Sequence, residues 1–183
     1  KIYISDKTVN RIYSIRRYIM SILITGSAGF IASHIIEELL TDSTNEIIGV
    51  DNFYSGKKEN LKFIKLIDKE KKFSFIEADI RDFETINKIV KENNIKQIYH
   101  LAAIVSVQES ILNPILSNEV NVKGTLNILE SARLNRVKRV VFSSSAAVYG
   151  DEPTQPKSES SIVKPISPYG YDKFICEQYM KLY

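Results

Sequence analysis

Apolar residues follow two spacings that alternate along the chain. Continuous apolar runs have the length of buried β-strands, and the segments between them place apolar residues three or four positions apart, as amphipathic helices do. The predicted strands are residues 21–25, 46–50, 73–77, 97–101 and 137–142. The predicted helices are 30–40, 57–70, 82–93, one within 113–134, and a last one from about 168, which Ser167 would cap and Pro168 would begin. This alternation predicts the α/β class, with a doubly wound parallel sheet and helices on both faces, because parallel neighbours need a helical crossover.

The start of the chain differs from the rest. The first predicted strand comes directly after Met20, so we interpret residues 1–19 as an N-terminal extension and residues 20–183 as one domain. The uncharged stretch 18–36 has the length of a membrane segment, but serines, glycines and a histidine interrupt it, which disfavours a membrane span. We expect that deleting residues 1–19 leaves folding intact.

Composition and charge narrow the classes of protein. The chain has 183 residues, of which 44% are hydrophobic, enough for one globular domain with a sizeable core or for part of a larger one. Its net charge is +3, but residues 1–19 hold five basic residues and one acidic residue, so the remainder is nearly neutral and no nucleic-acid partner is expected. Cys176 is the only cysteine, which excludes an intrachain disulfide and suits a cytoplasmic location.

A glycine-containing turn joins the first predicted strand to the first predicted helix. This segment, Gly26-Ser-Ala-Gly29-Phe-Ile-Ala32, is called the phosphate loop below. Gly26 permits the tight turn, Gly29 lets the backbone approach a pyrophosphate, and the free N–H groups at the helix start attract an anion. The position of the loop between strand and helix is typical of a Rossmann-like dinucleotide site.

An acidic residue, Asp51, directly follows the second predicted strand. An acid at this distance from a phosphate loop accepts hydrogen bonds from the adenosine ribose hydroxyls of a bound dinucleotide. Because a carboxylate repels a 2′-phosphate, Asp51 favours NAD over NADP as the cofactor.

Tyr169 and Lys173 lie four residues apart in the last predicted helix, so their side chains share one face. A free tyrosine has a pKa near 10, so ionising a tyrosine at neutral pH takes about 4 kcal/mol of stabilisation. An ammonium, a positive nicotinamide ring and a helix N-terminus can all contribute to it. The spacing predicts a tyrosine base assisted by a lysine. The same spacing also occurs on ordinary helix faces, and the phosphate loop is what favours chemistry here.

Six motifs stand in order along the chain. They are Gly26-Ser-Ala-Gly29-Phe-Ile-Ala32, Asp51-Asn-Phe-Tyr-Ser-Gly56, Ala78-Asp-Ile-Arg-Asp82, His100-Leu-Ala-Ala103, Ser143-Ser-Ser-Ala-Ala-Val-Tyr-Gly150 and Tyr169-Gly-Tyr-Asp-Lys173. With these motifs the chain resembles the extended short-chain dehydrogenase/reductase family, and within it the NAD-dependent nucleotide-sugar epimerases, most closely UDP-glucose or UDP-N-acetylglucosamine 4-epimerases. The resemblance implies that residues 20–183 form an NAD-binding Rossmann domain that stops before a C-terminal substrate domain.

The resemblance also assigns roles to individual residues. The implied cofactor contacts are Gly26, Gly29, Phe30 and Ile31 at the pyrophosphate, Asp51 and Asn52 at the ribose, Asp79 and Ile80 at the adenine, and Leu101, Ala102 and Ala103 at the nicotinamide. The implied catalytic residues are Ser145, Tyr169 and Lys173, and the last two also contact the cofactor. Asn118 or Asn121 would support the nicotinamide end, and the resemblance does not choose between them.

The implied reaction is epimerisation at C4 of a nucleotide-diphosphate sugar, expected to be UDP-linked, through a transient 4-keto intermediate. Tyr169 takes the proton of the 4-hydroxyl while the C4 hydride moves to NAD, and the hydride then returns to the opposite face. Ala146 and Ala147 stand where dehydrating or decarboxylating relatives carry acidic residues, which favours an epimerase over a lyase. Two alternatives stay open: a nucleotide-sugar 4,6-dehydratase or decarboxylase, and an NAD-binding module without catalysis. The resemblance also implies a cytoplasmic homodimer for the full-length protein.

Three further residues carry smaller predictions. His100, at the end of a predicted strand, is expected to be structural, because the two histidines of the chain have no acidic partner at the spacing of metal ligands. Cys176 is expected to be a small core residue. Asp172 replaces the small polar residue usual in the family, and it either weakens the electrostatic help that Lys173 gives Tyr169 or points to water.

Overall fold

The structure is a computed structural model, and it describes residues 20–183. The predicted extension 1–19 lies outside the described residues, so its dispensability stays a prediction. Within residues 20–183, no helix combines the length and the apolar character that a membrane span requires.

Five parallel strands form one sheet. They are β1 (Met20–Thr25), β2 (Asn45–Asp51), β3 (Phe73–Glu77), β4 (Gln97–His100) and β5 (Arg139–Phe142). Their spatial order is β3-β2-β1-β4-β5, so β2 and β4 pair with opposite edges of β1. The order of strands reverses direction beside β1, and in open parallel sheets a ligand crevice lies at such a reversal, outside the carboxyl ends of the strands. The predicted parallel sheet is confirmed.

Helices connect the strands. They are α1 (Phe30–Leu39), α2 (Lys58–Ile67), α3 (Phe83–Glu92), α4 (Val107–Leu112), α5 (Pro114–Asn118), α6 (Gly124–Leu134) and α7 (Pro168–Leu182). A π-helical turn (Glu119–Lys123) joins α5 to α6, and a short 3-10 helix (Ala146–Tyr149) follows β5. The predicted start of α7 is confirmed, since Ser167 caps it by accepting a hydrogen bond from the Gly170 N–H at 3.1 Å.

The sheet buries one apolar core on each of its faces. Ile22 of β1 packs on the face covered by α1 and α2, in a cluster with Ile36. The next residue, Leu23, belongs to the cluster on the other face, with Ile86 of α3 and Ile128 of α6. Successive side chains of a strand point to opposite faces, so this division follows from strand geometry. Helices on both faces are therefore confirmed.

The prediction of a helix within 113–134 was incomplete. Helix α4, which precedes this range, was not predicted. It begins after Ser106, whose hydroxyl oxygen accepts a hydrogen bond from the Glu109 N–H at 3.1 Å. The helical structure is interrupted at Asn113, before Pro114. It then continues through α5 and the π-helical turn to the end of α6.

The predicted strand 137–142 was two residues too long at its start, since β5 begins at Arg139. The Val137 N–H instead donates a 2.9 Å hydrogen bond to the Ala132 carbonyl at the end of α6. Arg136, in the same turn, has a φ of 55°. The end of α6 thus uses residues that the apolar pattern assigned to the strand.

Candidate active site

The phosphate loop lies between β1 and α1, where the sequence predicts it. Gly26 has a φ of +71°, and an added Cβ would lie 2.8 Å from the backbone nitrogen of Ala102. Only glycine adopts this conformation and this close approach without strain. Helix α1 begins after Gly29 and has no side-chain cap. The amide donors of its first turn are therefore available to an anion in the crevice.

Asp51 lies at the carboxyl end of β2 and touches the phosphate loop. Its carboxylate accepts hydrogen bonds from the Ala28 N–H at 3.0 Å and from the Phe53 N–H at 2.7 Å. The side chain of Asp51 is buried, and Gly56 leaves room for it, because an added Cβ there would lie 2.8 Å from Oδ1. These contacts hold the carboxylate at the edge of the crevice.

Asp79 sits beside Asn52 at the end of β3. The Asn52 amide donates to the Asp79 carboxylate at 3.0 Å, and the Arg81 guanidinium donates to it through Nη2 at 2.7 Å and Nε at 3.0 Å. Hydrogen bonding to Arg81 lowers the pKa of Asp79 to about 2, so this carboxylate is ionised at neutral pH. Sequence reasoning gave no role to Arg81, although its place two residues after Asp79 in a named motif could have drawn attention to it.

A buried hydrogen-bond chain organises the segment after β4, residues 101–104, here called the 101–104 loop. Thr25 Oγ1 accepts hydrogen bonds from the N–H groups of Leu101 and Ala102, both at 3.2 Å, so its own proton is free for His100 Nδ1 at 2.7 Å. His100 Nε2 then donates to Thr125 Oγ1 at 2.9 Å. Burial lowers the pKa of His100 to about 3, and the charge of Lys173 adds to this effect. His100 is thus a neutral ring with a hydrogen bond at each nitrogen, which is the basis of its predicted structural role.

Asn121 holds the far end of the 101–104 loop. Its Oδ1 accepts from the Ile104 N–H at 2.9 Å, and its Nδ2 donates to the Ile104 carbonyl at 3.0 Å. Asn118, the other asparagine considered, makes no side-chain hydrogen bond with the loop, and its amide donates to the Asp172 carboxylate at 3.2 Å. The structure therefore distinguishes the two asparagines by their contacts.

Tyr169 and Lys173 project from one face of α7, and both are buried. The Lys173 Nζ lies 6.0 Å from the centre of the Tyr169 ring and 4.6 Å from the centre of the Phe142 ring. It donates a 2.8 Å hydrogen bond to the Ser143 carbonyl. Burial lowers the pKa of Lys173 to about 8, against the opposing influence of Cys176 and Asp172.

Asp172 does not point to water, so that expectation was wrong. The residue is 4% exposed and is turned toward α5 and the π-helical turn, because Ser117 and Asn118 supply hydrogen-bond donors there. Cys176, one turn further along α7, is fully buried, as predicted.

One cavity of about 540 Å³ runs along the carboxyl ends of the strands, a size typical of cofactor sites. It is lined by all thirteen predicted cofactor residues: Gly26, Gly29, Phe30, Ile31, Asp51, Asn52, Asp79, Ile80, Leu101, Ala102, Ala103, Tyr169 and Lys173. Phe30 and Ile31 expose apolar side chains that a bound molecule would cover. Among residues 20–183, no group of three or more histidine, cysteine or acidic side chains could hold a metal ion.

The predicted catalytic serine is not brought into this cavity. Ser143 and Ser144 line it, whereas Ser145 does not. The Ser145 hydroxyl instead accepts a hydrogen bond from the Ala147 N–H at 3.2 Å and caps the short 3-10 helix. The role assigned to Ser145 stays a prediction.

The sheet order, the phosphate loop and the acid at the end of β2 define a dinucleotide-binding protein of the Rossmann type. The family model for GDP-mannose 4,6 dehydratase matches residues 23–183. The chain therefore belongs to this family of NAD-dependent nucleotide-sugar enzymes of the short-chain dehydrogenase/reductase type, and the resemblance found in the sequence is confirmed.

Several of the similar proteins are UDP-glucose 4-epimerases. The UDP-glucose 4-epimerase of Mycolicibacterium smegmatis is 41% identical over 165 residues, which are 90% of this chain and 51% of that protein. The UDP-glucose 4-epimerase of Bacillus subtilis is 38% identical over 162 residues, or 88% of this chain and 47% of that protein. The structure of UDP-glucose 4-epimerase from Bifidobacterium longum in complex with NAD+ and UDP has a TM-score of 0.83 and 34% identity, and the match covers 88% of this chain and 48% of that chain. The chain spans about half the length of the curated relatives it matches.

Proposed function

We propose that the whole protein is an NAD-dependent epimerase that inverts C4 of a nucleotide-diphosphate sugar, a UDP-linked one, through a transient 4-keto sugar. The observation that carries this proposal is that Tyr169 and Lys173 face the same cavity as the phosphate loop. The UDP-glucose 4-epimerases among the relatives support the choice of reaction.

The cofactor of this family is NAD, and the chain offers the features it requires. Gly26 and Gly29 keep side chains away from the path of a pyrophosphate, and the first turn of α1 presents amide donors to it. Asp51 would accept the ribose hydroxyls, and Asn52 and Asp79 would lie near the adenosine. NAD, when bound, supplies a reversible hydride acceptor.

The chain's own residues would move the proton. Tyr169 would take the proton of the sugar 4-hydroxyl, and the buried Lys173 ammonium, 6.0 Å from its ring centre, would stabilise the phenolate. The hydrogen bond from Lys173 to the Ser143 carbonyl fixes the ammonium in place. We keep Ser145 as the proposed donor to the reacting oxygen, a role that requires its hydroxyl to turn from Ala147 toward the substrate.

A nucleotide-sugar 4,6-dehydratase or decarboxylase is the second candidate. The name of the family model favours it. Ala146 and Ala147 argue against it, because general acid–base chemistry at the neighbouring carbons needs ionisable side chains and alanine has none. A third candidate is an NAD-binding module without catalysis.

The test is to incubate the full-length protein with UDP-glucose and with UDP-N-acetylglucosamine and to follow the configuration at C4 by NMR. Formation of the C4 epimer supports the proposal. A 4-keto-6-deoxy product would establish the dehydratase, and a UDP-pentose formed with release of CO2 in a third incubation, with UDP-glucuronate, would establish the decarboxylase. NAD binding without turnover of any of the three would establish the module without catalysis. Tyr169→Phe is the matched variant, and it should retain NAD binding while turnover is lost.

The oligomeric state, location and partners of the full-length protein complete the proposal. We propose that the full-length protein is a cytoplasmic homodimer that acts on a small molecule and binds neither nucleic acid nor membranes. We also propose that residues 1–19 are an extension and that the domain begins at residue 20. Light scattering on the full-length protein tests the dimer, and a mass of one chain would contradict it.

A further inference from the structure

Asp172 is a buried carboxylate that the proposed mechanism does not use. It lies on α7 between Tyr169 and Lys173 and is 4% exposed. Burying a carboxylate is costly unless hydrogen bonds or an opposite charge compensate for it. The contacts of Asp172 therefore indicate what this carboxylate does for the fold around the site.

The Asp172 carboxylate accepts three donors from one neighbouring part of the chain. Ser117 Oγ donates to Oδ2 at 2.6 Å, Asn118 Nδ2 donates to Oδ1 at 3.2 Å, and Asn121 Nδ2 approaches Oδ2 at 3.4 Å. Ser117 and Asn118 belong to α5, and Asn121 belongs to the π-helical turn. A single side chain thus joins α7 to both elements.

Asn121 carries this connection to the cofactor side. Its amide makes two hydrogen bonds with the backbone of Ile104, at 2.9 Å and 3.0 Å. Ile104 ends the 101–104 loop, which lines the cavity next to the phosphate loop. A continuous path of hydrogen bonds therefore runs from α7, through Asp172 and Asn121, to the 101–104 loop.

Asp172 also acts electrostatically on Lys173 of the same helix. Lys173 is also buried, and Asp172 raises its pKa against the lowering caused by burial. Two roles are therefore distinguishable by experiment: Asp172 acts through the geometry of its acceptor oxygens, or it acts through its charge on Lys173. The three hydrogen-bond donors directed at the two carboxylate oxygens of Asp172 favour the first role, in which Asp172 acts through the geometry of its acceptors.

We propose that Asp172 is a positioning residue that holds α7, and with it Tyr169 and Lys173, in a fixed place relative to Asn121 and the 101–104 loop. Its catalytic consequence rests on the proposed function, whereas the structural part does not. Misplacing reacting groups by a fraction of an ångström to one ångström lowers turnover strongly, so this connection would matter for rate more than for substrate binding.

The first measurement is amide hydrogen exchange by NMR on this chain, with and without NAD. In Asp172→Leu the acceptors are lost, and exchange of the Ile104 N–H should become faster by about tenfold or more, while that of Leu23 in β1 stays unchanged. Asp172→Asn keeps an oxygen for Ser117 and Asn121, so exchange at Ile104 should stay within about threefold of the unmodified chain. Glu84→Leu, at an exposed carboxylate of α3, is the control.

The second measurement is turnover of the full-length protein. Asp172→Leu should lower kcat by about tenfold or more with KM nearly unchanged, and Asp172→Asn should restore most of it. If Asp172→Asn loses as much kcat as Asp172→Leu, the charge is what matters and the positioning role is overturned. Unchanged exchange at Ile104 in Asp172→Leu overturns it as well.

A double variant on the donor side of these hydrogen bonds provides an alternative test. If Asp172→Leu does not fold, Ser117→Ala combined with Asn118→Ala removes two of the contacts from the other side, and the same increase in exchange at Ile104 is expected. If the unmodified protein shows no epimerase activity but exchange responds as described, the proposed function fails and the positioning role stands.

Discussion

The Lys173 ammonium donates a 2.8 Å hydrogen bond to the Ser143 carbonyl, which ties the middle of α7 to the residue directly after β5. This contact, together with the Phe142 ring beneath the ammonium, keeps a cation inside the protein at the side of the cavity. The position of the cation has a measurable consequence for its titration.

We expect Lys173 to titrate near pH 8, well below the ordinary pKa of a lysine side chain. Burial lowers its pKa to about 8 from 10.5, so between these values the unfolded chain binds a proton that the folded chain does not. Stability should therefore rise with pH across that window, as the buried cation is discharged. NMR of ¹⁵N-labelled lysine side chains measures the titration, and Lys173→Met should remove the shifted resonance. A titration of all lysines near their ordinary value would contradict the prediction.

We expect His100 to make the chain sensitive to acid. Its folded pKa is about 3 against an ordinary 6.5, so between these values the unfolded state binds the extra proton and stability falls as the pH falls. The contribution is on the order of 1.4 kcal/mol per pH unit. Urea unfolding of the chain and of His100→Gln at several pH values measures it. The variant should show a flatter dependence, and parallel curves would rule out His100 as the cause.

The two glycines of the phosphate loop should respond differently to alanine. Gly26→Ala places a Cβ 2.8 Å from Ala102 N in a backbone with positive φ, so it should lower stability by about 1–3 kcal/mol. Gly29 has a φ of −78°, which alanine adopts readily. Gly29→Ala would place a Cβ 3.0 Å from the Gly26 carbonyl oxygen, a tight contact without backbone strain, so it should lower stability less than Gly26→Ala does. It should weaken NAD binding, because Gly29 lines the cavity. Thermal unfolding and calorimetric titration with NAD separate the two effects, and equal loss of stability would contradict this explanation.

Asp51 should decide between the two nicotinamide cofactors. Asp51→Asn removes the negative charge and leaves one oxygen for the Ala28 or Phe53 N–H, so NAD affinity should fall by about tenfold while NADP affinity falls less or rises. Glu46→Gln, at an exposed carboxylate of the same strand, is the matched control. Calorimetry with both cofactors provides the test. An unchanged ratio of the two affinities would show that Asp51 does not discriminate.

Local patterns were enough to predict most of the architecture. Strands and helices were predicted because apolar spacing and capping residues such as Ser167 act within a few positions of the chain. The phosphate loop and Asp51 were predictable for a similar reason, since each follows a strand at a spacing set by the βαβ unit. Helix α4 was missed because its six residues, fewer than two turns, carry too little periodicity to be recognised.

The contacts between elements required the tertiary structure. Asn121 hydrogen-bonds the Ile104 backbone whereas Asn118 hydrogen-bonds Asp172, and this difference depends on how α5 and the π-helical turn pack against the rest of the chain. The burial of Asp172 depends on α5 packing against α7, which sequence spacing does not encode.

Patterns along the chain established the α/β class, because the apolar spacing of a strand or helix acts over a few residues. The ordered motifs indicated the family, and that resemblance in turn indicated residues that line the cavity. The neutral ring of His100 and the connection from Asp172 to the 101–104 loop became evident only in the folded structure. These features arise where residues far apart in the chain are brought into contact in a buried, low-dielectric interior, and there hydrogen-bond geometry sets charge and position.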